Sequence, residues 1–200
     1  MLYSILKRFL DIIGSLLGLL IITPFTPFIA LAIKLDSRGP VFVKLPRVSK
    51  GKTIMVYKFR SMIANAQLAK EHLKEQNERK DGPFFKIKKD PRVTRVGRFL
   101  RKLKLDEFPQ LFNVLTGKLS LVGPRPHEPE EVLNYPFEYR HLTLAKAGAT
   151  GLSQVSGASN LPFLKELELD NYYINRRSLW MDLKIIFKTI LILLTDPNGI

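Results

Sequence analysis

The strongest hydrophobic pattern in the chain is one uncharged run from Ile12 to Ile33, with Lys7 and Arg8 before it and Lys34 after it. A bilayer core of about 30 Å needs about 20 such residues, so the length permits a transmembrane helix. Two prolines interrupt the run. Pro24 and Pro27 each remove a backbone donor and clash with the preceding turn, and Thr23 and Thr26 are pushed away from helical dihedrals by the following ring. The two threonine hydroxyls are expected to take up carbonyls freed by the break. Basic residues stand at both ends, with Arg38, Lys44, Arg47, Lys50 and Lys52 beyond the second arm. A true span should be asymmetric in Lys and Arg. The pattern fits a re-entrant hairpin that dips in and returns, or a proline-kinked crossing. A signal peptide would have a shorter apolar region and a small-residue cleavage site, and no clean site follows.

The rest of the pattern is mixed. Gly39-Pro-Val-Phe-Val-Lys44 and Thr53-Ile-Met-Val-Tyr-Lys-Phe-Arg60 predict a short β-hairpin from their β-branched and aromatic residues. Ser61 to Arg79 is polar and predicts a solvated surface helix ending near Asp81-Gly-Pro83. Asp90 to Lys104 predicts a basic amphipathic element, with Val93, Val96, Phe99, Leu100 and Leu103 at helical spacing. A helix from Pro109 to Leu115 follows, closed by Thr116-Gly117. Leu119 to Pro126 reads as a short strand entering a stiff Gly/Pro turn. Ala145 to Ala158 is rich in small residues and reads as a loop, and Glu166–Tyr173 and Leu179–Leu194 read as helices. The last is apolar nearly all round, too short to span comfortably, and suited to a core or a membrane interface. The expected organisation is a membrane element over 1–36 and a second domain over 37–200. The expected class is α+β and mostly helical.

Composition narrows the partners. The 200 residues carry 32 Lys and Arg against 18 Asp and Glu, a net charge of +14. That excess calls for an anionic partner such as nucleic acid, anionic lipid or a phosphorylated substrate. A nucleic-acid binder would need stacking aromatics or a groove-reading helix, and neither is evident. The chain has no cysteine, which excludes disulfides, thiolate chemistry and Cys-type zinc sites. It contains no internal repeat, low-complexity tract, P-loop or dinucleotide fingerprint.

The candidate chemistry centres on Asp106-Glu107, set among Arg98, Arg101, Lys102 and Lys104 just before an apolar helix. Two carboxylates before a helix also serve simply to cap its free N–H groups. Cationic neighbours would keep both ionised, as a nucleophile or a magnesium ligand must be. Arg125 is held by Pro124 and Pro126, and its planar fork matches phosphate oxygens. Lys58 and Arg60 alternate with Tyr57 and Phe59, so both are expected on one strand face, as a phosphate contact or a solvated face. His72, His127 and His141 lack metal-ligand spacing and read as ordinary surface or turn residues. No nucleophile-elbow pattern surrounds any serine.

From Lys7 to Lys188 the chain resembles the bacterial sugar transferases, the small monotopic phosphoglycosyl transferases that begin glycan assembly on polyprenol phosphate. The resemblance rests on Lys7-Arg8 with Asp11, the helix-breaking Pro24, Gly39-Pro-Val-Phe42, Tyr57-Lys-Phe-Arg-Ser-Met62, Leu105 to Gly117, Ser120-Leu-Val-Gly-Pro-Arg-Pro126, and Thr150-Gly151 with Gln154-Val-Ser-Gly157. It implies transfer of sugar-1-phosphate from a UDP-sugar to undecaprenyl phosphate, with release of UMP, at the cytoplasmic face of the bacterial inner membrane. Asp106 is then the expected nucleophile, forming a phosphosugar-aspartyl enzyme, and Glu107 its partner in acceptor activation or in holding Mg²⁺. Arg125 is expected on the donor phosphates and Arg101 on the acceptor phosphate, with Lys58, Arg60, Gln110 and Asn113 completing the substrate-binding set. Thr23-Pro24 stands for the family's Ser-Pro membrane break and keeps its hydroxyl, which favours the re-entrant hairpin.

The chain departs from the family pattern at Leu45 and Ser49, at an extra Pro27, and at Ala147, Ala149, Ser153 and Ala158 in the late block, where a Trp and an Arg are usual. Those late departures bear on sugar or uridine recognition more than on the dyad. A weakened relative, a basic membrane-anchored binding protein of the same fold, is the alternative. The sugar, the downstream glycan and the oligomeric state, homo-oligomer included, are not encoded in any short motif.

Overall fold

The computed structural model describes residues 2–157 and 160–195. Helix α1 (Leu2–Ile22) and helix α2 (Thr26–Asp36) are joined by a 3₁₀ turn over Thr23–Phe25, which holds Pro24, while Pro27 lies in the first turn of α2. The threonine hydroxyls do fold back on the backbone, Thr23 to the Leu19 carbonyl at 2.6 Å and Thr26 to the Ile22 carbonyl at 3.0 Å. These carbonyls lie one turn before each threonine rather than opposite the proline rings. Back-bonding of this kind bends helices, and here it lies at the break. The stretch from Leu2 to Asp36 is long and apolar enough to cross a bilayer by length and composition. Most of its large side chains, Phe9, Leu17, Leu20 and Phe28 among them, are exposed.

Both arms are nonetheless held to the same body. On α1, Lys7 Nζ donates to Asp182 at 2.9 Å, and Arg8 donates to the Val114 and Leu115 carbonyls at 2.7 and 2.6 Å. Buried Asp11 accepts from Ser120 Oγ at 2.8 Å and from the Leu121 N–H at 2.7 Å. At the far end of α2, Asp36 accepts the Val96 N–H at 2.9 Å.

Strands β1 (Phe42–Ser49) and β2 (Lys52–Phe59) form the expected antiparallel hairpin, in the register Phe42 opposite Phe59 through Ser49 opposite Lys52. The surface helix expected over Ser61–Arg79 is much shorter. Met62 makes an isolated bridge to Val93, Asn65 sits in the left-handed region at φ 62°, and only α3 (Ala66–His72) and one 3₁₀ turn follow. A left-handed residue cannot lie inside a right-handed helix, so α3 starts after it. Helix α4 (Arg95–Lys102) is capped by Thr94 Oγ1, which accepts the Gly97 N–H at 3.0 Å. Helix α5 (Gln110–Leu115) runs beside α1.

The stretch expected as a loop from Ala145 contains strand β4 (Gly148–Thr150), which pairs in parallel with β3 (Ser120–Val122), and the short helix α7 (Leu152–Val155). Helix α6 (Pro129–Leu133) precedes these, and α8 (Phe163–Arg176) and α9 (Leu179–Thr195) close the described chain. The class is α+β and mostly helical, as expected, with a second small parallel sheet that the pattern did not predict. Several apolar clusters share the core. The one that places the candidate site unites Ile22 and Ile33 of the two arms with Phe59 and Leu100, flanked by Leu105 and Phe108.

Candidate active site

Leu105 and Phe108, on either side of the dyad, are the residues that fix it. Both pack into the apolar cluster shared by the two arms, so the Asp106-Glu107 turn lies at the base of the two apolar N-terminal helices. Helix α4 ends just before it, and Lys104 turns the chain through the left-handed region at φ 55° into a 3₁₀ turn over Leu105–Glu107. The two carboxylates then meet different surroundings. Asp106 is 5% exposed. The Glu107 side chain is 34% exposed, and its Oε1 accepts from Lys58 Nζ at 2.5 Å.

Their acidities separate accordingly. Burial pushes the Asp106 carboxyl above its ordinary value, against the pull of Lys58 and Arg101, and the charge on Glu107 adds to the rise. Burial acts on Glu107 in the same sense, but Lys58, Arg125 and Lys104 outweigh it and hold that carboxyl well below the usual range. The cationic surroundings were expected to keep both groups ionised. They do so for Glu107, while Asp106 is held against ionisation by loss of water. A pair with divided acidities is poised for divided roles.

Cations reach the dyad from separate segments. Lys58 comes from β2 and Arg101 from the last turn of α4, where its Nε donates to Ser61 Oγ at 2.8 Å. Arg125 comes from the Gly/Pro turn after β3, and its side chain is 34% exposed. The other residues of the expected binding set lie elsewhere. Arg60 does not share a face with Lys58. Strand β2 ends at Phe59, so the alternation stops there, and the Arg60 guanidinium turns to the end of α2. It donates to the carbonyls of Arg38 at 2.6 Å, Ser37 at 2.6 Å and Ile33 at 3.2 Å. Asn113 is fully buried and ties α5 to β2, accepting the Tyr57 N–H at 2.9 Å and donating to the Met55 carbonyl at 2.8 Å. Gln110 is buried in the first turn of α5. Geometry makes Arg60 and Asn113 parts of the scaffold rather than of a phosphate-binding surface.

Among the described residues no group of three or more His, Asp or Glu is gathered to hold a metal ion. Magnesium usually takes only one or two carboxylates and completes its octahedron with waters and substrate phosphates. Asp106 and the Glu107 oxygen not bonded to Lys58 meet that lesser requirement, so these residues fit a magnesium ion brought together with a diphosphate.

The sequence profile of the bacterial sugar transferases matches residues 2–196. The chain belongs to that family. The undecaprenyl-phosphate galactose phosphotransferase of Salmonella typhimurium is 42% identical over 92% of this chain, and the undecaprenyl-phosphate glucose phosphotransferase of Komagataeibacter xylinus is 41% identical over 92%. The chain covers only 39% and 35% of those two proteins, so it spans about two fifths of the length of most of the curated relatives it matches. The exopolysaccharide production protein PSS of Rhizobium leguminosarum is 40% identical and is matched over 98% of both chains.

Within this bacterial sugar transferase, two of the departures from the family pattern meet in space. Ser49 Oγ accepts the Ala147 N–H at 3.2 Å and donates to the Lys118 carbonyl at 3.0 Å. Ser153 donates to Asp170 at 2.7 Å, and Ala158 lies outside the described residues. Sequence reasoning missed a second cluster of charges. His127, read as a turn residue, is buried and bonded to Tyr135 and Glu166, and both Glu166 and Asp170 are buried on α8. One signal was present: Glu166, Asp170 and Tyr173 recur at 4 and 3 residue spacing, a polar stripe where a helix should bury apolar groups.

Proposed function

We propose that this protein transfers sugar-1-phosphate from a UDP-sugar to a polyprenol phosphate through a covalent enzyme intermediate. The observation that carries the reading is the convergence of Lys58, Arg101 and Arg125 on a buried aspartate and a half-exposed glutamate at the root of the membrane arms. Asp106 attacks the β-phosphorus of the donor. The bond from that phosphorus to the bridging oxygen breaks, and UMP leaves with the electron pair. An oxygen of polyprenol phosphate then attacks the same phosphorus, freeing the Asp106 carboxylate and giving the diphosphate-linked lipid. Splitting one displacement into two means that donor and acceptor need not be bound together.

The residues divide the work as their surroundings suggest. Asp106 is poorly solvated, so once ionised its oxygen has little water to shed before attack. Glu107 stays charged, faces solvent and is steadied by Lys58, which suits it to take a proton from the acceptor phosphate or to hold magnesium with Asp106. When bound, magnesium would neutralise diphosphate charge and ease departure of UMP. Arg125 meets donor phosphates, and Arg101 the acceptor phosphate near the bilayer.

The reading also requires both arms on one side of the membrane. Lys7 and Asp36, near the outer ends of α1 and α2, both bond to the same body. That supports the re-entrant hairpin, with the body at the cytoplasmic face of the inner membrane.

Purified protein with undecaprenyl phosphate, Mg²⁺ and a panel of UDP-sugars should release UMP with at least one donor. Enzyme quenched before acceptor is added should gain the mass of one phosphosugar on the peptide bearing Asp106. Product accumulating with no such adduct would refute the covalent route, and no UMP from any donor would refute the activity.

A further inference from the structure

Glu166 and Asp170 carry buried charge that the proposed chemistry does not use. Glu166 is 1% exposed and Asp170 is 2% exposed, one turn apart on α8. Glu166 Oε1 accepts from His127 Nε2 at 3.0 Å and lies 3.7 Å from Arg125 Nε, while Oε2 lies 3.9 Å from Arg79. Asp170 accepts the Arg125 backbone N–H through Oδ2 at 3.0 Å and the Ser153 hydroxyl through Oδ1 at 2.7 Å. Arg125 is therefore held twice by one helix face, at its backbone by Asp170 and beside its guanidinium by Glu166. The prolines on either side of it remove most remaining backbone freedom.

The arrangement is unlike an ordinary salt bridge. An arginine fully paired with one carboxylate has its fork filled and its charge cancelled. Here one carboxylate is shared among Arg125, Arg79 and the imidazole of His127, and it meets Arg125 at Nε. Among the described residues no hydrogen bond reaches the terminal nitrogens of the fork, and the Arg125 side chain is about a third exposed. His127 in turn bonds to Tyr135 through its other ring nitrogen, which ties the partner of Glu166 into an apolar core cluster.

We infer that Glu166 and Asp170 are positioning residues that aim Arg125 at the donor diphosphate. The inference rests on the reading of Arg125 as a donor contact. Its scope is the donor half-reaction, because the acceptor side is served by Arg101, which the cluster does not touch.

The test is a double-mutant cycle in full-length enzyme with the best UDP-sugar found in the donor panel. Glu166→Gln keeps the shape and removes the charge. It should raise the donor KM about ten- to a hundredfold, the scale expected when a binding group is displaced by an ångström or so, while leaving kcat and the acceptor KM near wild type. In the Arg125→Ala background the same change should add nothing further. Asp170→Asn should show the same donor-selective pattern, and it serves if Glu166→Gln does not fold, which a melting curve would reveal. An unchanged donor KM, an equal rise in donor and acceptor KM, or effects that multiply in the double variant would each overturn the inference.

Failure of the underlying reading looks different. Arg125→Ala would then leave the donor KM untouched, or wild-type enzyme would release no UMP. In that last case calorimetric binding of UDP reads the cycle instead: each single change should weaken binding, and the pair no more than Arg125→Ala alone.

Discussion

Two carboxylate pairs in this protein are built from the same residue types and both face basic side chains, yet their settings are opposite. Asp106 and Glu107 are adjacent in sequence, lie on a short turn between apolar anchors, and leave Glu107 about a third exposed. Glu166 and Asp170 are a helical turn apart and both fully buried; three of their four oxygens accept hydrogen bonds from protein donors, and the fourth, Glu166 Oε2, lies 3.9 Å from Arg79. The difference teaches that carboxylates among cations do not by themselves mark chemistry. What separates the pairs is whether an oxygen is left with room and with no fixed partner. The α8 pair has spent its oxygens on structure, and its influence can reach a substrate only through Arg125.

The contrast breaks most sharply under conservative amide substitution. Asp106→Asn should lower UMP release by at least about a thousandfold, since the amide cannot act as the nucleophile of the proposed covalent step. Glu107→Gln should cost about a hundredfold, the usual scale of a lost general base. Both should melt near the wild-type temperature, because neither carboxylate holds the fold together. If Asp106→Asn turned over normally, the dyad would be no more catalytic than the α8 pair.

A smaller effect tests the electrostatic half of the contrast. Lys58→Met removes the largest attraction on both carboxyls of the dyad, which burial otherwise raises. With Lys58 gone both pKa values should rise. Asp106 must be ionised to attack and is the weaker acid of the two, so activity is lost as pH falls through its pKa, and the acidic limb of the pH–rate profile should move to higher pH by about one unit. An unmoved limb would mean that ionisation of Asp106 does not limit turnover.

How far each pair could be read from the sequence follows from the same distinction. The dyad was legible because its surroundings are local: Arg101, Lys104 and the helix after Pro109 all lie within a few residues. The proline break and the β1–β2 hairpin were legible for the same reason, through ring geometry and strand alternation. The α8 pair was not, because its partners Arg125, His127 and Arg79 lie 39 to 87 residues away in the chain. Strand β4 was hidden likewise, since a parallel pairing with β3 leaves no mark on three small residues. Arg60 shows a local rule ending one residue too soon. Alternation places it beside Lys58 only while the strand continues, and β2 stops at Phe59.

The smallest expected effect concerns stability rather than rate. Burial pushes the Asp170 carboxyl up to about 6, against hydrogen bonds from Ser153 and Arg125 and the attraction of His127. A raised acid binds its proton more tightly folded than unfolded. Its contribution is thus most favourable below the ordinary value near 4 and is lost as pH rises through about 6. Asp170→Asn has no such titration. The melting temperature of the variant minus that of wild type should therefore climb between pH 4 and pH 6.5, by a few degrees, for a difference of about 1–2 kcal/mol. Taking the difference cancels the other groups that titrate over the same range, Glu166 included. A flat difference would mean that burial does not hold the Asp170 carboxyl above its ordinary range, and the α8 pair would then no longer differ from solvent-facing Glu107 in that respect.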